Sequence, residues 1–384
     1  MKRYLVGLVS VMIVLSLLFS VIPNAFTQKR YNEAPELAVL VKQGKLPPVE
    51  QRLPKEPLVV TPLEETGKYG GICITGRPAN YLTTVTVRLV HEFLLTYSSP
   101  YLDKILPNVA KTWKVTGGGK VFTFFLREGM KWSDGHPFTA DDIVFWYEDI
   151  IKNDELTPSK PAAMMVGGKL GKVRKISTYV VEFSFDVPNG IFIEEMCRWR
   201  PEPYAPAHYL KQFHPKYTPM EKIQQAMEKE GFDRWADLFL DKRMNITNPE
   251  CPTISAWVAV NEPQEQIHIF KRNPYYWKVD TAGNQLPYID RIESPMFTDQ
   301  QAILLKVLAG EIDYMSAAWI GAMESYPTVV QNQDKGNYHL VSSPWPPNNL
   351  GSIYFNFTHK DPVLRKLFND KRFRIALSVA LDRE

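Results

Sequence analysis

The chain has 384 residues, with 45 lysines and arginines against 42 aspartates and glutamates, and this net charge of +3 gives no electrostatic case for binding nucleic acid. Aromatic residues make up 12% of the chain and 30 residues are proline, a composition typical of long ordered loops around pockets in which flat rings can stack. The length favours two or three domains.

The first 27 residues have the plan of a secretory signal peptide. Residues 2–3 are basic, residues 5–22 form an apolar run and small residues follow at 24–25. A membrane anchor is the alternative, because the run approaches the roughly 20 residues that span a bilayer. Serines dilute the run and Pro23 breaks it, so we predict export with cleavage near residue 25. No cysteine lies near its end, which predicts a periplasmic protein without a lipid anchor.

Residues 28–66 are predicted to form a proline-rich extension that follows the surface and is not a domain. One short helical pattern covers 36–42 and closes at Gly44, and five prolines follow. A first strand is predicted at 72–74, beside two glycines that allow a close backbone approach.

The next predicted elements are a helix over 84–97 and a hairpin across the three glycines at 117–119. The second hairpin strand, 121–127, is apolar on both faces and is expected to be covered on both sides. A turn at 133–135 then precedes Thr139 and Asp142, whose spacing is typical of a helix start.

Further along the chain, strands are predicted at 180–185, 267–271, 288–292 and 312–315, and a helix at 220–230. Another helix is predicted to begin at a Thr298 cap and to end at Gly310. Residues 373–384 keep a helical rhythm with no capping glycine, so we expect the fold to continue beyond them.

Several blocks of sequence resemble the bacterial extracellular solute-binding proteins of family 5. The strongest is LREGMKWSDGHPFTADDIVFWYE at 126–148, which is similar to the family signature almost throughout. Four shorter matches occur in the same order: PNVAKTW at 107–113, RNPYYW at 272–277, GEID at 310–313 and FRIALSVALDRE at 373–384. The chain departs from the pattern at 251–257, CPTISAW, where relatives often carry GTGPY.

The resemblance implies an α/β fold of the periplasmic-binding-protein type II kind, with several lobes of mixed sheets and flanking helices, truncated in the third lobe. The family domain would cover 67–384. Its first lobe would comprise 67–90 and 190–296, the inserted second lobe 91–189 and the incomplete third lobe 297–384.

The function implied is that of a receptor, expected to be monomeric, which captures a peptide or an oligosaccharide in a cleft between lobes. It would deliver this solute to the permease subunits of an ABC importer. The residues predicted to line the cleft are Trp257, Trp319 and Tyr354, with Asn356 as a hydrogen-bonding partner. Each ring has the competing interpretation of a core residue, and that interpretation is favoured for Trp132 and Trp146.

The alternative function is a secreted carbohydrate-active hydrolase, which would need two carboxylates at a set separation. The acidic pairs at 64–65, 141–142 and 194–195 are better explained as structural, and His208 and His214 as ordinary loop residues. No nucleophile elbow, zinc motif or Walker loop occurs in the sequence. We therefore expect no enzyme activity, cofactor or metal. The three cysteines are widely spaced and are expected to be free thiols.

Overall fold

A computed structural model describes residues 31–78, 91–98, 103–198, 202–316, 320–341 and 353–380. The chain forms two compact units, residues 1–340 and 341–384, and each is considered by itself. The predicted signal peptide, residues 84–90 of the predicted helix over 84–97, and Trp319 lie outside the described residues. Within the described residues, no helix combines the length and the apolar character needed to cross a membrane.

The proline-rich extension begins the first unit with two helices, α1 (Pro35–Lys42) and α2 (Val49–Arg52), and a strand, β1 (Leu58–Val60). The prediction of the first helix is confirmed, but α2 and β1 lie in sequence that was expected to be irregular. Their partners are remote in sequence and could not be seen locally. β1 runs parallel to β14 (Lys278–Asp280), and Val49 and Leu53 pack against Val279.

A five-stranded sheet is formed by strands from two parts of the chain, 72–78 and 257–297. Its members are β2 (Ile72–Ile74), β3 (Arg77–Pro78), β12 (Trp257–Ala259), β13 (Ile267–Arg272) and β15 (Arg291–Phe297). β15 pairs antiparallel with β13 and parallel with β2 and β3. Alternate residues of β12, β13 and β15 are buried, so one face of the sheet carries the small apolar cluster of Trp257, Phe270 and Ile292.

A four-stranded antiparallel sheet is formed by the central part of the chain. Its order is β10 (Lys172–Ser177), β11 (Val180–Ser184), β7 (Val121–Leu126) and β6 (Ala110–Thr116). The predicted hairpin is therefore confirmed, with Gly117, Gly118 and Gly119 all at positive φ in the turn. Phe122, Phe124 and Phe183 pack around Phe192 and form the centre of the largest apolar cluster.

The signature segment forms the turn and helix that its sequence predicts. Thr139 caps α3 (Ala140–Phe145): its hydroxyl accepts from the Asp141 amide at 3.2 Å, and its own amide donates to Asp142 at 2.9 Å. A π-helical turn, Trp146–Ile151, follows. Trp132 and Trp146 are both almost fully buried, in agreement with the structural interpretation of these two rings.

Shorter elements complete the first unit. Two small sheets pair β4 (Leu95–Tyr97) with β5 (Ile105–Pro107) and β8 (Met165–Val166) with β9 (Lys169–Leu170). The helices are α4 (Phe192–Glu195), α5 (Ala207–Leu210), α6 (Met220–Glu230), α7 (Trp235–Lys242), α8 (Gln300–Leu308), α9 (Ala322–Gln331) and α10 (Gln333–Gly336).

Three local predictions are wrong. Leu95–Tyr97 is a strand and not the end of a helix, because it pairs with β5. Asp299, not Thr298, caps α8, since its carboxylate accepts from the Ala302 amide at 2.8 Å. Residues 312–315 form no strand. The Asp313 carboxylate accepts a hydrogen bond from the Ile74 amide at 2.6 Å, so a side chain replaces one of the backbone hydrogen bonds of a β-ladder.

The second unit contains α11 (Pro362–Asn369) and α12 (Lys371–Val379) among its described residues. Phe355, Phe368 and Phe373 contact one another, with ring centroids 5.4–6.4 Å apart. None of the described side chains of this unit is buried. The helical rhythm predicted from residue 373 is confirmed as far as Val379.

Candidate functional site

A pocket of about 630 Å³ lies in the first unit. Its wall is formed by Trp132, by the segment at His91, and by residues of three stretches: 202–206 before α5, 240–246 at the end of α7, and 251–255 before β12. A concave site of this size, with an apolar wall and a few polar groups, is typical of a small-molecule site.

The charged groups of the pocket are arranged around Glu202. Its carboxylate forms an ion pair with the His91 ring, and the two side chains are only 13–14% exposed. The Arg243 Nη2 donates to the Glu202 carbonyl oxygen at 3.4 Å. Burial lowers the pKa of the Arg243 guanidinium, and the negative charge of Glu202 opposes this shift. Arg243 is therefore a cation on the pocket wall with one long hydrogen bond among the described contacts.

Neutral polar groups lie on the 240–246 and 251–255 stretches. Asn245 Nδ2 donates to the Thr253 hydroxyl at 2.9 Å, and that hydroxyl donates to Ser255 Oγ at 3.0 Å. The Thr253 backbone is held by Ser133 of the signature turn: its amide donates to Ser133 Oγ at 3.1 Å, and its carbonyl accepts from the Ser133 amide at 2.8 Å. The signature turn thus fixes the stretch that carries the hydroxyl groups.

A buried network holds the opposite side of the pocket in place. Glu92, next to His91, accepts hydrogen bonds from Tyr276, from Asn108 at 3.0 Å and from Lys278 at 2.8 Å. The Tyr204 hydroxyl, which lines the pocket, donates to the Glu92 carbonyl oxygen. These bonds tie His91 and Tyr204 to β14 and rigidify the wall that they form.

Cys251 belongs to the apolar part of the wall. It is a free thiol, as are Cys73 and Cys197, and burial raises the pKa of Cys251 to about 12. The thiol is therefore neutral and unreactive at physiological pH.

The four residues predicted to bind solute lie in different places. Trp257 is 7% exposed and packs in the cluster on the five-stranded sheet, where Ile246, a residue of the pocket wall, also packs. Tyr354 is 90% exposed and belongs, with Asn356, to the second unit. Trp319 lies outside the described residues. Their role in binding stays a prediction.

The residues considered for catalysis have structural partners. Asp142 caps α3 and accepts from the Ala207 amide at 3.3 Å, and burial raises its pKa to about 6. His208 lies 2.7 Å from Asp134, and His214 lies 3.2 Å from the Asp149 carbonyl oxygen. Within the described parts of the chain, no group of three or more His, Cys, Asp or Glu side chains is placed to hold a metal ion.

The sequence did not identify Arg243, Asn245 or Thr253 as site residues. One signal pointed to this region: the departure from the family pattern at 251–257, five residues after the end of the 240–246 stretch. The pairing of His91 with Glu202 links positions 111 residues apart and could not be deduced from local pattern.

Comparison with known proteins gives a consistent result. The sequence model described as "Bacterial extracellular solute-binding proteins, family 5 Middle" matches residues 104–384. The chain is 32% identical over 381 residues to the periplasmic alpha-galactoside-binding protein of Rhizobium meliloti, covering 90% of this chain and 51% of that protein. It is 29% identical over 286 residues to the periplasmic oligopeptide-binding protein OppA of Salmonella typhimurium, covering 72% and 45%.

Two solved structures are similar to most of the chain. One is an oligopeptide-binding protein OppA, with a TM-score of 0.77 and 44% identity, covering 92% of this chain and 56% of that one. The other is the periplasmic binding protein MelB of Agrobacterium fabrum C58 in complex with stachyose, with a TM-score of 0.68 and 28% identity, covering 92% and 54%. The chain spans about half the length of the relatives it matches.

Proposed function

The chain belongs to the bacterial extracellular solute-binding proteins of family 5, and we propose that it acts as the extracytoplasmic receptor of an ABC importer, capturing a peptide or an oligosaccharide. Its mixed α/β fold is that of periplasmic binding proteins. The named relatives support both solute classes, since they bind alpha-galactosides or oligopeptides.

The observation that carries this proposal is the pocket around Arg243. It offers hydrogen-bond donors and hydroxyl groups in an apolar wall, as a receptor requires. Among the residues considered for catalysis, Asp142 caps α3, and Asp141, Glu195 and His208 form ion pairs with Lys175, Arg198 and Asp134. The comparisons give no support to the hydrolase alternative, and we propose that the solute is bound without chemical change.

The location and partners of the protein are part of the proposal. Its relatives are named as periplasmic proteins, and the sequence of residues 1–27 fits export. We propose a periplasmic monomer, without a lipid anchor, that docks on permease subunits. The two larger sheets support the predicted division into lobes, because the four-stranded sheet falls within 91–189 and the five-stranded sheet within 67–90 and 190–296, apart from the last residue of β15, Phe297.

The residues proposed to contact solute are Arg243, Asn245 and Thr253. Trp257, Trp319, Tyr354 and Asn356 remain predicted contacts, and Trp257 would act from the cluster beside the pocket.

Thermal unfolding of the mature full-length protein with a panel of oligosaccharides and peptides tests the proposal. A member of the panel that binds should raise the melting temperature, because a ligand bound only to the folded state stabilises it. Chromatography of that ligand after long incubation should recover it unchanged. A panel without any binding member, or a hydrolysed ligand, would contradict the receptor function.

A further inference from the structure

The charges of the pocket nearly cancel, and this bears on which of the two solute classes it takes. Arg243 contributes one positive charge, Glu202 and Asp241 contribute one negative charge each, and His91 contributes zero or one positive charge. The sum is zero or −1. The Cys251 thiol adds nothing, because burial raises its pKa to about 12.

The charges inside the pocket compensate one another. The Glu202 carboxylate is bound by His91, and its negative charge stabilises the Arg243 guanidinium beside it. A solute carboxylate placed against Arg243 would compete with Glu202 and leave an unbalanced negative charge in a partly desolvated site, which is costly. Asp241 is exposed, and a pair that it formed with an ammonium group in water would contribute little.

The remaining polar lining is uncharged. Asn245, Thr253 and Ser255 form a chain of hydrogen bonds in which the Thr253 hydroxyl is fully used, because it also accepts from the Ser255 amide at 3.1 Å. The Asn245 side-chain oxygen accepts no hydrogen bond among the described contacts and can accept one from a solute hydroxyl. Trp132 and Tyr204, whose ring centroids lie 6.0 Å apart, are nearly buried, so they contribute apolar wall to the pocket and no open ring face. Arg243 keeps donors available for neutral oxygen atoms.

We infer that the pocket around Arg243 is selective for an uncharged, hydroxyl-rich solute, an oligosaccharide, and discriminates against peptides and acidic sugars through the balanced set of His91, Glu202 and Arg243. This inference rests on the proposed receptor function and assigns its substrate class. Glu202 would then determine specificity. Its negative charge balances the positive charge of Arg243, so neutral solutes are favoured over acidic ones.

Calorimetric titration of the mature full-length protein tests the inference. The probes are neutral trisaccharides and tetrasaccharides of galactose, glucose and mannose, uronic acid oligosaccharides of the same lengths, and tripeptides to pentapeptides. We expect at least one neutral oligosaccharide to bind, with uronic acid chains and peptides at least about a hundredfold weaker. Tighter binding of a peptide or a uronic acid chain would overturn the inference and leave the receptor function intact. Absence of binding by every probe would instead contradict the receptor function.

Glu202→Gln provides the matched variant. It removes the counter-charge of Arg243, so the ratio of the neutral to the acidic sugar's affinity should fall at least about tenfold. The control is Glu128→Gln, an acid that pairs with Lys55 outside the pocket and should leave that ratio unchanged. An unchanged ratio in folded Glu202→Gln protein would refute the role of Glu202. If this variant does not fold, the ratio measured on the natural protein still decides the question.

Discussion

Two regions of the first unit differ in how an arginine uses its hydrogen-bond donors. At the contact between the extension and β14, Arg52 is fully buried and uses its donors on Glu33, on Gln285 at 2.9 Å and on the carbonyl oxygens of Pro47 and Pro274. In the pocket, Arg243 has a single described hydrogen bond, at 3.4 Å. Arg52 thus uses four of its five N–H donors and holds structure together, whereas Arg243 has most of its donors available for a solute.

Arg272 shows that Arg52 is not an isolated case. Its side chain is 1% exposed, and it forms ion pairs with Glu36 of the extension and with Asp290 at 2.7 Å. Arg52 and Arg272, which use most of their hydrogen-bond donors within the protein, therefore anchor the extension. Their removal should affect stability and not solute binding.

The largest effect is expected for Arg52→Met. The change removes the Arg52 cation from the Glu33 carboxylate, which is 6% exposed. Breaking a buried pair in this way costs about 3–5 kcal/mol of the free energy of unfolding. Urea denaturation followed by circular dichroism measures the loss, and solute affinity of the folded fraction should not change. A loss below about 1 kcal/mol would show that Arg52 is not a structural anchor.

The next effect concerns His268, which is buried without a hydrogen-bond partner for either ring nitrogen in the described chain. Burial, and then the charge of Arg77, lowers its pKa from 6.5 to about 4. Between these pH values His268 is protonated in the unfolded chain and neutral in the folded chain. Stability therefore falls as the pH is lowered through this window. The full loss is about 3 kcal/mol, from about 1.4 kcal/mol per pKa unit.

Unfolding free energies measured from pH 7 to pH 4 test the prediction for His268, with His268→Phe as the comparison. The variant should lose less stability than the natural protein over the same interval. Parallel pH profiles of the two proteins would exclude His268 as the source of the dependence.

A smaller effect, on binding, is expected for Arg243→Met. Losing a hydrogen bond from a charged donor costs about 1.5–3 kcal/mol, which corresponds to a dissociation constant at least about tenfold higher. Because the Arg243 guanidinium makes one long hydrogen bond among the described contacts, the melting temperature should change little. Calorimetric titration and thermal unfolding separate the two effects. The comparison between Arg52 and Arg243 fails if Arg243→Met unfolds the protein and leaves affinity intact.

The smallest effect is expected for Glu128→Gln. Lys55 and Glu128 form an ion pair that links the extension to the sheet, but their side chains are 71% and 51% exposed. Water screens such a pair, so its removal should leave the melting temperature unchanged within experimental error. A clear drop in melting temperature would mean that exposed contacts also hold the extension.

The sequence predicted the parts of the fold that local rules decide. The glycine hairpin at 117–119, the Thr139 cap and the signature helix each depend on neighbours within a few residues. The strand β1 was missed because its partner, β14, is remote in sequence, and the strand at Leu95–Tyr97 was missed because its pairing with β5 is not visible in its own residue pattern. Pairing across such distances is decided by the whole fold and not by propensity.

The candidate site was much harder to predict. Aromatic residues in loops favoured Trp257 and Tyr354, but one ring packs in the core and the other is 90% exposed in the second unit. Arg243 and Thr253 carry no motif, and their segments are held together by the Asn245–Thr253 hydrogen bond and by Ser133 of the signature turn.

The role of the pocket can be observed in a crystal structure of the mature full-length protein with a bound neutral oligosaccharide. We expect a sugar ring in the pocket, with an oxygen atom within 3.2 Å of the Arg243 guanidinium and a hydroxyl group hydrogen-bonded to Asn245. A solute held elsewhere, with the pocket around Arg243 filled only by water, would contradict it.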